Sequence, residues 1–273
     1  MSRQHFPAAE CQSRLAFARH LAGQAGSLTL RYFYQTDLAI EQKEDFSPVT
    51  AADRETEQFL RQQIAGQFPN DAVFGEEFPR TEGTSGFRWY LDPIDGTKSF
   101  IHRVPLYTTL IGLEYGGEIT GGIISAPALG ELVWAGRGQG AWLESKQNPH
   151  PVPCKVSSCT ELSEACFVTS EVLTFSKTNR QNAYRNLERS VKLTRTWGDA
   201  YGYLLTATGR ADIMVDPQMS EWDAGPLPVI LEEAGGCFTD WKGNRTIFGK
   251  EGVATNGKLH AAVLQKLQAE SLP

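Results

Sequence analysis

The stretch WYLDPIDGTKSF, Trp89 to Phe100, closes an apolar run with two acids three positions apart and follows them with a Gly-Thr step. Pro93 favours extended backbone at Asp92, and Gly96 admits close approach of a ligand. A short helix opening at Asp95-Gly96-Thr97 and running through Phe100 and Ile101 would present free amides to the space the carboxylates face. Amides at a helix start bind phosphate and carboxylates bind hard cations, so the stretch offers both halves of a metal–phosphate interaction. The plainer alternative is an Asx-turn with a Thr-capped helix and nothing bound.

Three other segments put acids where an element starts or ends: Asp53 in SPVTAAD, Glu76 and Glu77 in NDAVFGEE, and Asp223 in SEWDAG. Taken singly, each reads first as a solvated cap. Gathered in one place, they repel one another unless a hard cation such as Mg²⁺ or Mn²⁺ neutralises them. Such an ion acidifies water, so hydrolysis at this site needs no histidine. The five histidines form no local cluster, and only His102, beside Arg103, follows the motif closely. A serine-hydrolase G-x-S-x-G is absent from the sequence.

The surrounding pattern is that of two α/β lobes. Leu15, Ala18, Leu21, Ala22, Ala25 and Leu28 recur at helical spacing over Cys11 to Phe33. Thr50 or Asp53 caps a second helix, with Phe59, Leu60, Ile64 and Phe68 on its apolar side and Arg54, Glu57, Arg61 and Gln62 turned largely to water. Between the helices, IEQKEDFSPVT has a lid-like polar composition that brings Lys43 toward a substrate. Strands follow at LYTTLIGLEY, ITGGIIS and ELVWAG, and ESKQNPHPVPC reads as a linker. It divides the chain into an N-terminal lobe, 1–148, and a C-terminal lobe, 149–273. The second lobe has strands near ACFVTS, ADIMVD, CFTDW and GVATN. Its helices fall over Ala200–Ala207, WDAGPLPVILEEAGG and Lys258–Gln268.

Lys and Arg number 26 against 32 Asp and Glu, and a net charge of -6 gives no electrostatic footprint for nucleic acid or an anionic membrane. The five cysteines are scattered with no C-x-x-C, which favours a reducing compartment. With neither a secretory leader nor an apolar run of spanning length, the expected location is the cytoplasm.

Gly75-Glu77, WYLDPIDGTKSF and WDAG, with SPVTAAD before them and EEAGG after, resemble the signature regions of the inositol-monophosphatase superfamily of Mg²⁺-dependent, lithium-sensitive phosphatases. The resemblance runs from about residue 12 to 265 and implies a layered αβαβα sugar-phosphatase-like fold, with the active site between two lobes, and a homodimer. It implies two or three Mg²⁺ per site, with Mn²⁺ as a substitute. Glu76, Asp92 and the Ile94 carbonyl would hold the first ion; Asp92, Asp95 and Asp223 would hold the second, and Glu76 would help place a third. Thr97, hydrogen-bonded to Asp53, would orient the attacking water, and the Gly96 and Thr97 amides would bind phosphate oxygens.

DGTKSF and TRTWGDAYGYLLTATGRADIMVDPQMSEWDAGPL resemble the histidinol-phosphatase branch of that family. The implied reaction is hydrolysis of L-histidinol phosphate to L-histidinol and phosphate, in histidine biosynthesis. Its substrate carries an ammonium and an imidazole, which an acid such as Asp199 can pair with. Asp216, at the family's alcohol-contacting position, is a second candidate; Trp197 and Arg103 complete the expected substrate set. Each has a plainer reading: Asp199 as a helix N-cap, Trp197, Tyr201 and Tyr203 as packing, Lys98 and Arg103 as surface charge. The alternatives within the superfamily are an inositol monophosphatase or a nucleotidase acting on adenosine 3',5'-bisphosphate.

Overall fold

A computed structural model describes residues 7–35, 40–42 and 48–269; Lys43 lies outside them. Helix α1, Ala8–Phe33, starts directly after Pro7, and α2, Ala51–Gln67, follows the small hairpin of β1, Ile40–Gln42, and β2, Pro48–Thr50. Thr50 caps α2, and Asp53 returns the bond by accepting from the Thr50 amide at 2.8 Å, so both expected capping residues act together.

A seven-stranded sheet comes next: β3, Ala72–Gly75; β4, Phe87–Asp95; β5, Thr108–Tyr115; β6, Glu118–Ala126; β7, Glu131–Gly136; β8, Ala141–Ser145; and β9, Asn148–Pro153. Its strands lie in chain order, antiparallel except for the β3–β4 pair. The short helix α3, Thr97–Ile101, leaves the end of β4.

The second sheet has the order β11-β10-β12-β14-β13. Its strands are β10, Cys166–Val168; β11, Leu193–Arg195; β12, Ile213–Asp216; β13, Cys237–Thr239; and β14, Gly252–Thr255. The helices of this half are α4, Val172–Lys177; α5, Gln181–Glu188; α6, Ala200–Ala207; α7, Glu221–Ala224; α8, Leu227–Glu233; and α9, His260–Gln268.

Three cores stack these elements into α, β, α, β, α layers. Leu15, Leu21, Leu60 and Ile64 of α1 and α2 pack on Trp89, Leu91, Ile111 and Ile123 of the first sheet. Because strand side chains alternate, Tyr90, Leu110 and Ile124 face the other way, toward Leu204, Leu227 and Ile230 of α6 and α8, with Met214 and Phe238 of the second sheet beyond. The far face of that sheet buries Phe167, Ile213 and Val215 against Phe175, Leu187 and Val263 of α4, α5 and α9. Among the described residues no helix is long and apolar enough to cross a membrane.

Four expectations are corrected. The linker-like segment is the hairpin arm β9 at the sheet edge, where prolines cost no ladder bonds, so the 148/149 division falls inside a strand. Glu57 does not face water: it is fully buried, accepting from Arg61 Nε and from the Glu77 amide, each at 2.7 Å. A Cβ on Gly75 would lie 2.2 Å from the Glu57 carboxylate, which is why glycine stands there. Leu28 is only partly buried, and Thr29 takes its place on the inner face of α1.

The fourth correction concerns WDAGPLPVILEEAGG, which is two helices meeting at Gly225-Pro226 rather than one. At that corner the backbone lies directly on the first sheet. A Cβ on Gly112 of β5 would stand 2.6 Å from the Gly225 carbonyl carbon, and one on Gly122 of β6 would stand 2.4 Å from the Pro226 oxygen. Gly122→Ala is therefore expected to destabilise the protein by about 1–3 kcal/mol, the usual cost of overpacking. Gly23→Ala, in a stretch of α1 where a Cβ meets no atom within 4 Å, is expected to stabilise by about 0.4–1 kcal/mol. Denaturant midpoints at constant m-value check both.

Candidate active site

The corner at Gly225 carries α7 against β4 and brings Asp223 to the acids of WYLDPIDGTKSF. Ligand oxygens of Asp92, Asp95 and Asp223 all lie within 4.8 Å of one another. Both motif acids belong to β4, whose pairing with β5 shifts register between them: Asp92 opposes Leu110 and Asp95 opposes Thr108. Asp92 Oδ1 accepts from the Ile94 amide at 3.0 Å. Asp95 Oδ2 accepts from Thr108 Oγ1 at 3.0 Å and from the Ala200 amide, the first residue of α6, at 2.6 Å. Asp223 closes a capping box with Ser220, accepting its amide at 2.7 Å. Each carboxylate is thus held by a different element.

Electrostatics make the cluster costly when it holds no cation. Burial, followed by the charges of Glu76, Asp95 and Asp223, raises the Asp92 carboxyl well above the ordinary range. Asp95 is raised by burial and then by Asp199 and Asp223. Burial and the Glu76 charge push Asp223 up to about 7. Converging carboxylate oxygens in a desolvated setting fit a hard divalent cation, which needs oxygen donors and removes this repulsion. Glu76 sits on the loop after β3, its amide donating to Leu91 O at 3.2 Å, with buried Glu57 gripping the next amide.

Gly96 has a left-handed backbone, φ +79, and a Cβ on it would lie 2.7 Å from Asp199 Oδ2. Thr97 opens α3 and donates from Oγ1 to Ile94 O at 3.2 Å. The Ile94 side chain is locked with Phe33, Ala52, Phe100 and Tyr107 in a small core under that helix. Asp53 is buried at the start of α2, its Oδ2 accepting the Thr50 hydroxyl at 2.7 Å.

A cavity of about 600 Å³ runs from Asp95, Gly96, Thr97 and Asp223 toward the second sheet, while Asp53, Glu76, Asp92 and Ile94 are not in its lining. Asp95, Gly96, Thr97 and Lys98, with Asp223 beside Asp95, line one end; Ser170, Glu171, Thr174, Lys177, Asp199 and Asp216 of the second half line the rest. Asp199 is raised by burial and does not cap α6 with its side chain. Asp216 accepts from the Ser170 amide at 3.2 Å and from Tyr203 Oη at 3.1 Å, and burial pushes it up to about 6. Tyr203, expected to pack, therefore also holds an acid of the cavity wall.

Three candidates lie elsewhere. Arg103 is not in the lining; its guanidinium donates to the carbonyls of Tyr32, Phe33 and Gln35 and ties the end of α1 to the turn after α3. Trp197 does not line the cavity either. Its loop follows edge strand β11 and leaves the side chain 39% exposed, so it is not core packing. His102 is exposed, with Nδ1 at 2.9 Å from Lys98 O. Conversely, Ser170, Glu171, Thr174 and Lys177 carried no motif, and α4 is too short for a periodic apolar signal to announce it.

Layered α/β architecture with a carboxylate cluster between the sheets is that of the sugar-phosphatase class. The model of the inositol monophosphatase family matches residues 10–272, and the chain belongs to that family. It is 43% identical over 241 residues to a histidinol-phosphatase of Chlorobaculum parvum, covering 88% of this chain and 91% of the relative. It is 40% identical over 255 residues to a histidinol-phosphatase of Mycobacterium tuberculosis, covering 93% and 98%. The solved structure of the extragenic suppressor protein suhB from Bartonella henselae superposes with a TM-score of 0.85 at 28% identity, covering 94% of this chain and 98% of that one.

The raised carboxyls have a measurable consequence. A group whose folded pKa is raised contributes stability below its unfolded pKa and loses that contribution as pH rises through the folded value. For Asp223 the window runs from the usual carboxylate range, about 4, to about 7. In chelator, the unfolding temperature is expected to fall across this window, and added divalent cation to restore it most at the alkaline end. Asp223→Asn should flatten the slope; an unchanged slope in scanning calorimetry would show that Asp223 does not titrate in this window.

Proposed function

We propose that this chain hydrolyses L-histidinol phosphate to L-histidinol and phosphate, as a step of histidine biosynthesis. The observation that carries the proposal is the composition of one cavity: Asp95 and Asp223, clustered with Asp92, line it together with Gly96, Thr97, Asp199 and Asp216. The last two acids suit an alcohol with an ammonium and an imidazole better than they suit a polyol. The relatives named histidinol-phosphatase, at 43% and 40% identity over most of the chain, support the same substrate.

In this proposal Glu76, Asp92 and the Ile94 carbonyl hold one cation, and Asp92, Asp95 and Asp223 hold a second, with Glu76 helping to place a third. Magnesium is the working ion and manganese a substitute. When bound, such ions acidify water and neutralise charge on phosphate oxygens. The Gly96 and Thr97 amides orient the phosphate, while Asp53 and the Thr97 hydroxyl align the attacking water in line with the departing alcohol. Asp199 and Asp216 hold the cationic end of the alcohol. The family resemblance further supports lithium sensitivity and a cytoplasmic homodimer.

Steady-state phosphate release with Mg²⁺ tests the substrate. The highest kcat/KM is expected on L-histidinol phosphate, and an equal or higher value on inositol 1-phosphate or adenosine 3',5'-bisphosphate would replace this substrate with that one. Thr97→Ala is expected to lower kcat by roughly 10²–10⁴, the range for losing a positioned acid–base or water-orienting group, with little change in KM.

A further inference from the structure

Lys98 and Glu171 form an ion pair across the cavity, Nζ to Oε2 at 2.7 Å. Lys98 follows Thr97 at the phosphate end, on the first-sheet side. Glu171 precedes α4 on the opposite wall, where Thr174 Oγ1 also donates to its Oε2 at 3.2 Å. The side chains are 61% and 38% exposed, so the pair sits at the mouth and its opening costs the fold little. Lys98 holds the Glu171 carboxyl below its usual range, which keeps it ionised at neutral pH. Neither residue belongs to the carboxylate cluster that receives the cation.

We infer that Glu171 determines specificity: it releases Lys98 when substrate enters and joins Asp199 and Asp216 in holding the cationic end of the alcohol. The inference rests on the histidinol-phosphate reading above. Charge matching is its physical basis. An ester carrying a phosphate and an ammonium or imidazolium replaces one internal ion pair with two, its anion drawing Lys98 and its cation meeting Glu171. A phosphate ester of an uncharged alcohol also competes for Lys98 but leaves Glu171 with only the weaker charge of Lys177, next to a newly arrived anion. The pair therefore favours zwitterionic esters over purely anionic ones, and it does so outside the metal-binding end.

The test uses full-length Glu171→Gln with saturating Mg²⁺. The ratio of kcat/KM for L-histidinol phosphate to that for glycerol 2-phosphate is expected to fall about tenfold, the size of one charge-assisted hydrogen bond. The loss should lie in KM for the cationic ester, and inhibition by L-histidinol should weaken by a similar factor while inhibition by inorganic phosphate does not. Glu171→Asp, which keeps the charge, should recover part of the ratio. An unchanged ratio, or equal losses on both esters, overturns the inference. Wild-type preference among esters tests the substrate separately: if it does not favour L-histidinol phosphate, O-phosphoethanolamine against glycerol 2-phosphate still measures whether Glu171 selects for a cation.

Discussion

Mutual repulsion among Asp92, Asp95 and Asp223 is the constraint around which the molecule is arranged. Three carboxylates within 4.8 Å of one another do not gather unaided, and the scaffold holds each by a different device. Asp92 is turned back by the amide of Ile94, Asp95 is tied to the start of α6, and Asp223 is fixed by its own helix cap. The residues that appear only structural serve the same end. Gly112 and Gly122 let the α7–α8 corner touch the sheet, and Glu57 beneath Gly75 anchors the loop that carries Glu76.

The acid cluster could be read from sequence because acids directly following apolar strands are chemically conspicuous. WYLDPID is buried through Asp92 and ends on a partly exposed Asp95, and it is the gathering of such acids from several segments that implies a ligand. The same reasoning failed at Glu57. Helical periodicity places it among charged neighbours, and only a contact with an amide twenty positions away reveals its burial. β9 was hidden by its prolines, which resemble those of a linker until the strand is seen at a sheet edge. The break in WDAGPLPVILEEAGG falls at Gly225-Pro226, a step that marks a turn, but no local pattern encodes its seat on the glycines of β5 and β6.

The opposite wall was the least readable part. Asp199 and Asp216 were singled out through resemblance, whereas Glu171 sits 73 positions from its partner Lys98, just before a helix of six residues. Arg103 and Trp197 show the reverse error. Proximity in sequence to a motif does not carry a side chain into the cavity, because the turn after α3 and the loop after β11 direct them elsewhere.

The glycine seat under the α7–α8 corner fixes the backbone that carries Asp223 and leaves the second-sheet wall of the cavity freer to change. At Gly112 and Gly122 main chain meets main chain, with less than 3 Å left for any added carbon. At this contact no side chain can adjust, and a larger residue at either position forces the α7–α8 corner off the sheet. The wall formed by Ser170, Glu171, Thr174 and Lys177 is made of side-chain tips around open space. Substitutions there re-shape the room for the alcohol while the hydrolytic end keeps its geometry, so one scaffold can serve many esters by editing a single helix start.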